Sequence, residues 1–256
     1  MKCNLCGSRE FIDMNNRKKV LCKDCGSFER TRLIWMYIQK LNIDKKWKIF
    51  HLAPEKGLYD ALSKLVHKGN YTVADINPLR YPFAKDCQTI DLCDLNNQPS
   101  FNYDLILHIH VLEHIPCNIA YPLFHLHRML KKNGHHLCVI PFMSGKYDET
   151  FQDLSNEDAH QRFGQFDHVR RFGKEDINSH LGSLINIPEV FDATNDFSID
   201  ELQAANIPEN HWRGFHGGTV LNLSRNDMRF LEGNPDLEIR KNQTSISSRL
   251  RRFFRR

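Results

Sequence analysis

Two matched pairs of cysteines lie near the start of the chain. Cys3 and Cys6 form the first pair and Cys22 and Cys25 the second, with two residues inside each pair and a glycine after it. This spacing lets both sulfurs of a tight turn reach one ion, and four thiolates complete a closed tetrahedron around zinc. A closed site has no position for substrate, so the zinc is expected to be structural. We therefore predict that residues 1–28 form a zinc ribbon whose folding depends on the metal.

Polar residues follow three short apolar runs, and together they have the spacing of a nucleotide site. Asp75 ends the run Tyr71–Asp75 about 20 residues after a polar loop, where a carboxylate can accept both hydroxyls of a ribose. Asp91, followed by Leu92, ends the next run and can accept from the exocyclic amine of adenine. One aspartate at a strand end is more commonly a helix cap or turn residue, so the prediction depends on all three positions. The loop residues expected to contact the cofactor are His51, Ala53, Pro54, Glu55 and Gly57.

Three histidines are candidates for cofactor binding or proton transfer. His108 and His110 lie at the end of the apolar run Tyr103–Ile109, and His108 is expected to contact the cofactor. An imidazole titrates near neutral pH, so it can take a proton from a hydroxyl group. His168 lies in a polar segment, between acidic and basic residues that can orient its ring. We predict His168 as the general base, with His110 as the alternative; the competing interpretation is that these rings are hydrogen-bonded structural groups.

Short apolar runs alternate with amphipathic segments after residue 47, and this rhythm predicts the elements that position these residues. Strands separated by helices indicate a parallel sheet covered on both faces. The expected fold class is α/β, with a doubly wound, mostly parallel, seven-stranded Rossmann-like sheet and the small zinc ribbon before it. The predicted strands are Lys48–Leu52, Tyr71–Asp75, Thr89–Leu92, Tyr103–Ile109, His136–Pro141, Ile187–Ala193 and Gly218–Leu223, and the predicted helices between them are Leu58–Val66 and Ala120–Leu130.

The same patterns divide the rest of the chain. Helical spacing of apolar residues, followed by a polar run, predicts a linking helix and loop over residues 29–47. The main domain is expected to span residues 48–230. Within it, residues 143–176 form a polar excursion that is rich in His, Phe and Asp, and long loops on a rigid sheet usually carry function. Residues 231–256 form a basic tail.

The positive charge of the chain is concentrated in that tail. The 256 residues include 35 Lys and Arg against 31 Asp and Glu, and five of the arginines lie after residue 248. The body is nearly neutral, which disfavours nucleic acid as a partner. No run approaches the roughly 20 apolar residues of a membrane span, and the N-terminus has no apolar signal region, so we expect a cytoplasmic protein. The tail suggests a separate hypothesis, peripheral contact with an anionic membrane at its inner face.

A longer set of motifs resembles a known enzyme family. The run Tyr103–Pro116 contains Val-Leu-Glu-His, and Leu126–Gly134 and the strand His136–Pro141 follow it. These segments resemble the fourth strand, VLEH loop, helix and RxLKxGG turn of class I S-adenosylmethionine-dependent methyltransferases. The resemblance covers about residues 48–225, and the cysteine pairs resemble the subgroup in which a zinc ribbon precedes the methyltransferase domain. It implies S-adenosylmethionine as the cofactor.

The first loop departs from the pattern of this family. Members commonly place an acid and three glycines at alternate positions, which here read His51, Ala53, Glu55 and Gly57. The Pro-Glu pair in this loop and the Asp-His-Val-Arg segment at 167–170 resemble the zinc-ribbon subgroup. That likeness implies that Glu55 faces the α-amino group of the cofactor. The alternative is a damaged loop that binds no cofactor.

The resemblance implies methyl transfer, and we expect methylation at oxygen of a small-molecule or glycan-like acceptor. His108–Val111 takes the place of the Asn-Pro-Pro-Tyr motif that would hold an exocyclic amine. An RNA methyltransferase is one alternative, since a zinc ribbon before such a domain also resembles ribosomal RNA guanine methyltransferases; a degenerate cofactor-binding scaffold is the other. In the resembling families, the pair Glu113-His114 looks structural. The remaining cysteines have no ligand spacing and are expected to be small core residues: Cys87, Cys93, Cys117 and Cys138.

Overall fold

The computed structural model describes residues 1–230. The predicted basic tail, residues 231–256, and the membrane contact proposed for it lie outside the described residues. Within residues 1–230, no helix combines the length and the apolar composition needed to span a bilayer.

Strands and helices alternate along most of the described chain. The strands are β1 (Phe11–Met14), β2 (Arg17–Cys22), β3 (Ile49–Leu52), β4 (Tyr71–Asp75), β5 (Gln88–Thr89), β6 (Tyr103–Ile109), β7 (Leu130–Val139), β8 (Phe142–Met143), β9 (Asp148–Glu149), β10 (Arg170–Gly173) and β11 (Val220–Ser224). The α-helices are α1 (Glu29–Lys40), α2 (Lys56–Leu62), α3 (Ala120–Met129), α4 (Asn156–Phe163), α5 (Leu181–Leu184) and α6 (Ile199–Ala204).

The central sheet of the described chain has six strands in the order β11-β7-β6-β3-β4-β5. Neighbouring strands run parallel, except that β11 pairs antiparallel with β7. The chain passes from β3 to β4 and β5 on one side and then to β6 on the other, so the strand order reverses between β3 and β6. Sheets of this type bind ligands beyond the carboxyl ends of the strands at such a reversal. The predicted α/β class, with a doubly wound and mostly parallel Rossmann-like sheet, is confirmed.

Helices cover both faces of this sheet. On one face, α1, α2 and α6 contribute Leu33, Leu58 and Leu202 to a single apolar cluster. On the other face, α3 contributes Leu123 and Leu126 to two further clusters. Alternate residues of a strand point to opposite faces, so a strand covered on both sides must be apolar at nearly every position. This explains the nearly unbroken apolar run of β6.

The sheet has one strand fewer than predicted. Segment Ile187–Ala193 contains only an isolated bridge at Asp192 and adds no strand to the described sheet. Pro188 has no amide hydrogen to give to a ladder, which disfavours strand pairing at this segment. The polar excursion at 143–176 is also more regular than a loop. Strands β8, β10 and β9 form a small sheet of their own, and α4 packs beside it.

Arg32 on α1 joins the N-terminal module to the main domain. Its side chain is fully buried and donates five hydrogen bonds to four backbone carbonyls. Two of these carbonyls, Val20 and Ser27, belong to the module, and the other two, Ala205 and Asn206, follow α6. The module and the sheet therefore share a buried polar junction.

Candidate functional site

The four paired cysteines meet at one point. Their sulfurs lie within 4.8 Å of one another, and the Sγ–Sγ distances Cys3–Cys25 and Cys6–Cys22 are both 3.6 Å. A tetrahedron with zinc–sulfur bonds of about 2.3 Å needs sulfurs roughly 3.8 Å apart, so the cluster has the right size. The arrangement is compatible with the predicted zinc site.

The N-terminal module also holds the loop between β3 and α2. A Cβ atom on Gly57 would lie 3.2 Å from the carbonyl oxygen of Cys25, so glycine lets α2 approach the second cysteine pair closely. Glu55 accepts a hydrogen bond from Nη2 of Arg30 at 3.1 Å and another from the hydroxyl of Thr31. Both carboxylate oxygens of Glu55 thus have partners on α1. The expected contact of Glu55 with a cofactor amino group stays a prediction.

A cavity of about 250 Å³ opens where the strand order reverses. Asp75, at the end of β4, lines it and is held in place by two donors. Its Oδ2 accepts from the hydroxyl of Tyr81 at 2.9 Å, and its Oδ1 accepts from the amide of Asn77 at 2.8 Å. The carboxylate is therefore oriented at the cavity wall, where it can accept further hydrogen bonds. The other predicted site residues that line the cavity are Ala53, Asp91, Leu92 and His110.

Three predicted cofactor residues lie beneath the cavity rather than along it. His51 and His108 are fully buried within the sheet, and burial lowers the pKa of both to about 3. Nδ1 of His51 forms a hydrogen bond of 2.7 Å with the hydroxyl of Tyr71. Pro54 is buried behind the loop. In the described chain, none of the three lines the cavity, and their cofactor contacts stay predictions.

Two residues at the edge of the cavity have an unusual backbone conformation. Ala53 has φ +48° and His110 has φ +52°, in the left-handed region that glycine adopts most easily. Ala53 occupies a position at which the resembling family commonly has glycine. Strained residues of this kind concentrate at functional sites, because the surrounding structure holds them there.

The VLEH turn and the Asp-His-Val-Arg segment are built against each other. The fully buried guanidinium of Arg170 donates to the carbonyl oxygens of Leu112 and Cys117. The amide of Val169 donates to the carbonyl of Glu113 at 2.9 Å. Two motifs more than 50 residues apart in sequence thus form one structural unit beside the cavity.

Three imidazoles surround the carboxylate of Glu113 in this unit. Each ring donates one N–H to a backbone carbonyl: His110 Nε2 to Gly217 at 2.7 Å, His114 Nδ1 to Asp167 at 3.1 Å and His168 Nδ1 to Phe163 at 3.2 Å. A carbonyl oxygen can only accept, so in the neutral rings the second nitrogen carries a lone pair. His110 Nδ1 and His114 Nε2 lie 3.8 and 4.0 Å from Glu113 Oε1. The ring centroids of His114 and His168 are 4.6 Å apart.

The two predicted bases differ in their relation to the cavity. His110 lines it directly, whereas His168 contacts the edge of His114, which is itself a lining residue. Burial lowers the pKa of both His110 and His168, so both rings are neutral near pH 7. Burial raises the pKa of Glu113 to about 8.

Sequence reasoning missed several parts of this region. Tyr81 and Arg30 lie in segments without a recognisable motif, and only the folded chain brings them to Asp75 and Glu55. The prediction that Cys93 and Cys117 are small core residues is wrong. They form a disulfide with their Cα atoms 5.9 Å apart, because the loop after β5 packs against the end of the VLEH turn. Their separation of 24 residues gives no sign of this pairing.

No family model and no curated protein matches the sequence. Among solved structures, the chain is similar to the YcgJ protein from Bacillus subtilis, with 14% identity, coverage of 70% of this chain and 79% of that chain, and a TM-score of 0.44. It is also similar to the 1,6-didemethyltoxoflavin-N1-methyltransferase from Burkholderia thailandensis, which was solved with bound 1,6-didemethyltoxoflavin and S-adenosylhomocysteine. That likeness has 13% identity, coverage of 60% of this chain and 66% of that chain, and a TM-score of 0.44. Because these identities and TM-scores are low, the fold assignment rests on the strand order of the central sheet and not on these similarities.

Proposed function

We propose that this protein is an S-adenosylmethionine-dependent methyltransferase of the subgroup with an N-terminal zinc ribbon. The observation that carries the proposal is the oriented carboxylate of Asp75, at the wall of a cavity where the strand order reverses. This is the position from which a carboxylate accepts the hydroxyls of a ribose in doubly wound sheets. The four cysteines would hold a structural zinc ion.

In this proposal, different residues at and near the cavity would bind different parts of the cofactor. Asp75 would bind the ribose, and Asp91, which also lines the cavity, would accept from the adenine amine. The left-handed turn at Ala53 would let the backbone pass close to the methionine end. Glu55 would reach the α-amino group by exchanging a bond with Arg30 for one with the cofactor.

Methyl transfer to a hydroxyl also needs an acceptor for the hydroxyl proton. S-adenosylmethionine supplies a methyl group on a positively charged sulfur. His110 is the better placed of the two predicted bases, because it lines the cavity and its Nδ1 carries a lone pair. Nδ1 would take the proton while the acceptor oxygen bonds to the methyl carbon and the carbon–sulfur electron pair returns to sulfur. The rest of the catalytic effect is alignment of the reacting atoms and exclusion of water.

The acceptor that we propose is a hydroxyl of a small molecule or glycan. Transfer of labelled methyl groups to fractionated cell extract, with nuclease-treated and glycosidase-treated controls, tests this class. Loss of the labelled product after nuclease treatment would instead support the RNA methyltransferase. Cofactor binding without any transfer would support the scaffold.

Calorimetry with S-adenosylhomocysteine tests the cofactor site. The variant Asp75→Asn should bind about ten- to a hundredfold more weakly, because hydrogen bonds to a charged group contribute about 1.5–3 kcal/mol. Asp86→Asn is the matched control. Asp86 is exposed in the segment that connects β4 to β5, and it does not line the cavity. Unchanged affinity in Asp75→Asn, or no binding by the original protein, contradicts the proposal.

A second pair of variants tests the base. His110→Asn should reduce kcat by about a hundredfold or more while it leaves the affinity for S-adenosylhomocysteine within a fewfold. His168→Asn, measured in parallel, tests the other predicted base. If kcat is unchanged in His110→Asn and falls strongly in His168→Asn, the assignment of His110 as the base is wrong.

A further inference from the structure

We infer that Glu113, His114 and His168 form a binding site for a divalent transition-metal ion at the mouth of the cavity, separate from the cysteine cluster. One ligand atom from each of the three side chains lies within 4.8 Å of the other two. The side chains come from the VLEH turn and from the Asp-His-Val-Arg segment.

The carboxylate of Glu113 is the first argument for an ion. Glu113 is 1% exposed, and neither of its oxygens has a hydrogen-bond partner among residues 1–230. Leaving a buried carboxylate without donors is among the most costly arrangements in a protein interior. Oε1 lies 3.8 Å from His110 Nδ1 and 4.0 Å from His114 Nε2, and both nitrogens present lone pairs rather than protons when the rings are neutral.

The orientation of the two imidazoles is the second argument. Nδ1 of His114 and Nδ1 of His168 each donate to a backbone carbonyl, which leaves Nε2 of each ring free to act as a ligand. Metal-binding histidines almost always donate their other ring N–H to a carbonyl or carboxylate in this way. Asp167 adds to the pattern, because its Oδ2 lies 3.4 Å from Nδ1 of His114.

The rigidity of the unit is the third argument. Buried Arg170 fixes the carbonyls on both sides of the VLEH turn, and the amide of Val169 fixes the carbonyl of Glu113. A preorganised ligand set avoids much of the entropic loss on binding. Without an ion, the same contacts bring Glu113, His114 and His168 together while both oxygens of Glu113 lack a hydrogen-bond partner among residues 1–230.

The donor set indicates the kind of ion. Two imidazole nitrogens and one carboxylate oxygen suit Mn²⁺, Fe²⁺, Co²⁺ or Zn²⁺ better than Mg²⁺ or Ca²⁺, which prefer oxygen ligands. Three protein ligands leave coordination positions open. The thiolate cluster, in contrast, is closed and favours zinc.

The role of the ion, unlike its binding, rests on the proposed function. Since His114 lines the cavity, the open positions would face the acceptor. An acceptor with two neighbouring oxygen atoms, such as a vicinal diol of a sugar, could fill two adjacent positions and present one hydroxyl to the methyl group. His168 would then be a metal ligand, and His110 would remain the base.

Titration with Mn²⁺, followed by electron paramagnetic resonance, tests the site, because Mn²⁺ binds thiolate clusters poorly. Full-length protein that carries one zinc ion per chain, in the cysteine cluster, should bind one Mn²⁺ per chain. Glu113→Gln and His168→Ala should each weaken binding at least tenfold. His160→Ala is the matched control, because His160 is exposed on α4 of the same excursion, and it should bind as the original protein does.

Zinc content and thermal melting of each variant show whether the fold is intact. The inference is overturned if the original protein binds no Mn²⁺. It is also overturned if the ligand variants bind Mn²⁺ as tightly as the control variant does. If Glu113→Gln does not fold, the comparison of His168→Ala with His160→Ala decides. Calorimetry with S-adenosylhomocysteine separates the two proposals: Mn²⁺ binding without cofactor binding refutes only the proposed function, and cofactor binding without Mn²⁺ binding refutes only the metal site.

Discussion

Replacing Arg32 with methionine should destabilise the protein strongly, because this side chain joins the cysteine module to the sheet. The guanidinium is fully buried, and its four acceptors are all backbone carbonyls, so no neighbouring side chain replaces it. Burial lowers the pKa of Arg32, and the nearby thiolates of the cysteine cluster oppose that shift. Four thiolates around one Zn²⁺ carry a net charge of −2, which compensates the buried cation.

The size of the effect follows from the groups left behind. Each buried carbonyl that loses its donor costs about 1–3 kcal/mol, and removal of one partner of a buried charge pair typically costs about 3–5 kcal/mol. These contributions overlap, so we expect the free energy of unfolding to fall by about 3–5 kcal/mol in Arg32→Met. Arg32→Lys keeps the charge but cannot reach all four carbonyls, and a loss of about 1–3 kcal/mol is expected.

Urea unfolding of zinc-loaded protein, with the zinc content of each variant determined, measures both losses. Arg32→Met should also release zinc at lower chelator concentration, because the charge of the cluster is no longer balanced. A loss below about 1 kcal/mol in Arg32→Met, with zinc retained, would show that the junction does not stabilise the fold.

Three further predictions concern the loop, the module and the sheet. Ala53→Gly should raise the free energy of unfolding by up to about 1 kcal/mol, since glycine adopts a positive φ without strain; a melting temperature below that of the original protein would contradict this. Chelation of zinc should weaken binding of S-adenosylhomocysteine by loosening the contact between Gly57 and Cys25, and zinc should restore it; calorimetry before and after chelation tests this. His51 and His108 stay neutral in the folded chain down to about pH 3, but in the unfolded chain they bind protons below about pH 6.5. The free energy of unfolding should therefore fall as the pH is lowered from 6.5 toward 3, by up to about 1.4 kcal/mol per pH unit for each ring. If urea unfolding gives the same free energy of unfolding at pH 6 and at pH 5, this prediction is refuted.

Features of the sequence that depend on local patterns were predictable. Strands Tyr71–Asp75 and Tyr103–Ile109 have the predicted bounds, because each is an apolar run that ends at a polar turn. The four cysteines lie together as their spacing indicated. Helix α1 (Glu29–Lys40) begins where the linking helix and loop over residues 29–47 are predicted to begin, and it coincides with the helical spacing of apolar residues there.

Features that depend on contacts distant in sequence were not predictable. Glu55 has the residue type and position of a cofactor ligand, but its partners lie on α1, in a segment that carries no motif. Gly57 is predicted to contact the cofactor, which stays a prediction; its close approach to Cys25 is a contact that the sequence does not indicate. His108 is predicted to contact the cofactor and His110 to be the alternative base; β6 ends at Ile109, and of the two only His110 lines the cavity.

The two parts added to the sheet contact different segments near the cavity, and this limits where specificity can reside. The cysteine module contacts the loop after β3 through Gly57, and the excursion contacts the VLEH turn through Val169 and Arg170. The strand ends supply positions that any cofactor-binding sheet of this class can offer. His114, on the turn that carries Glu113, lines the cavity, and the excursion is hydrogen-bonded to that turn. Because these two segments form one hydrogen-bonded unit, a substitution in the excursion should change acceptor selectivity and metal affinity together, while a substitution in the cysteine module should act first on the cofactor.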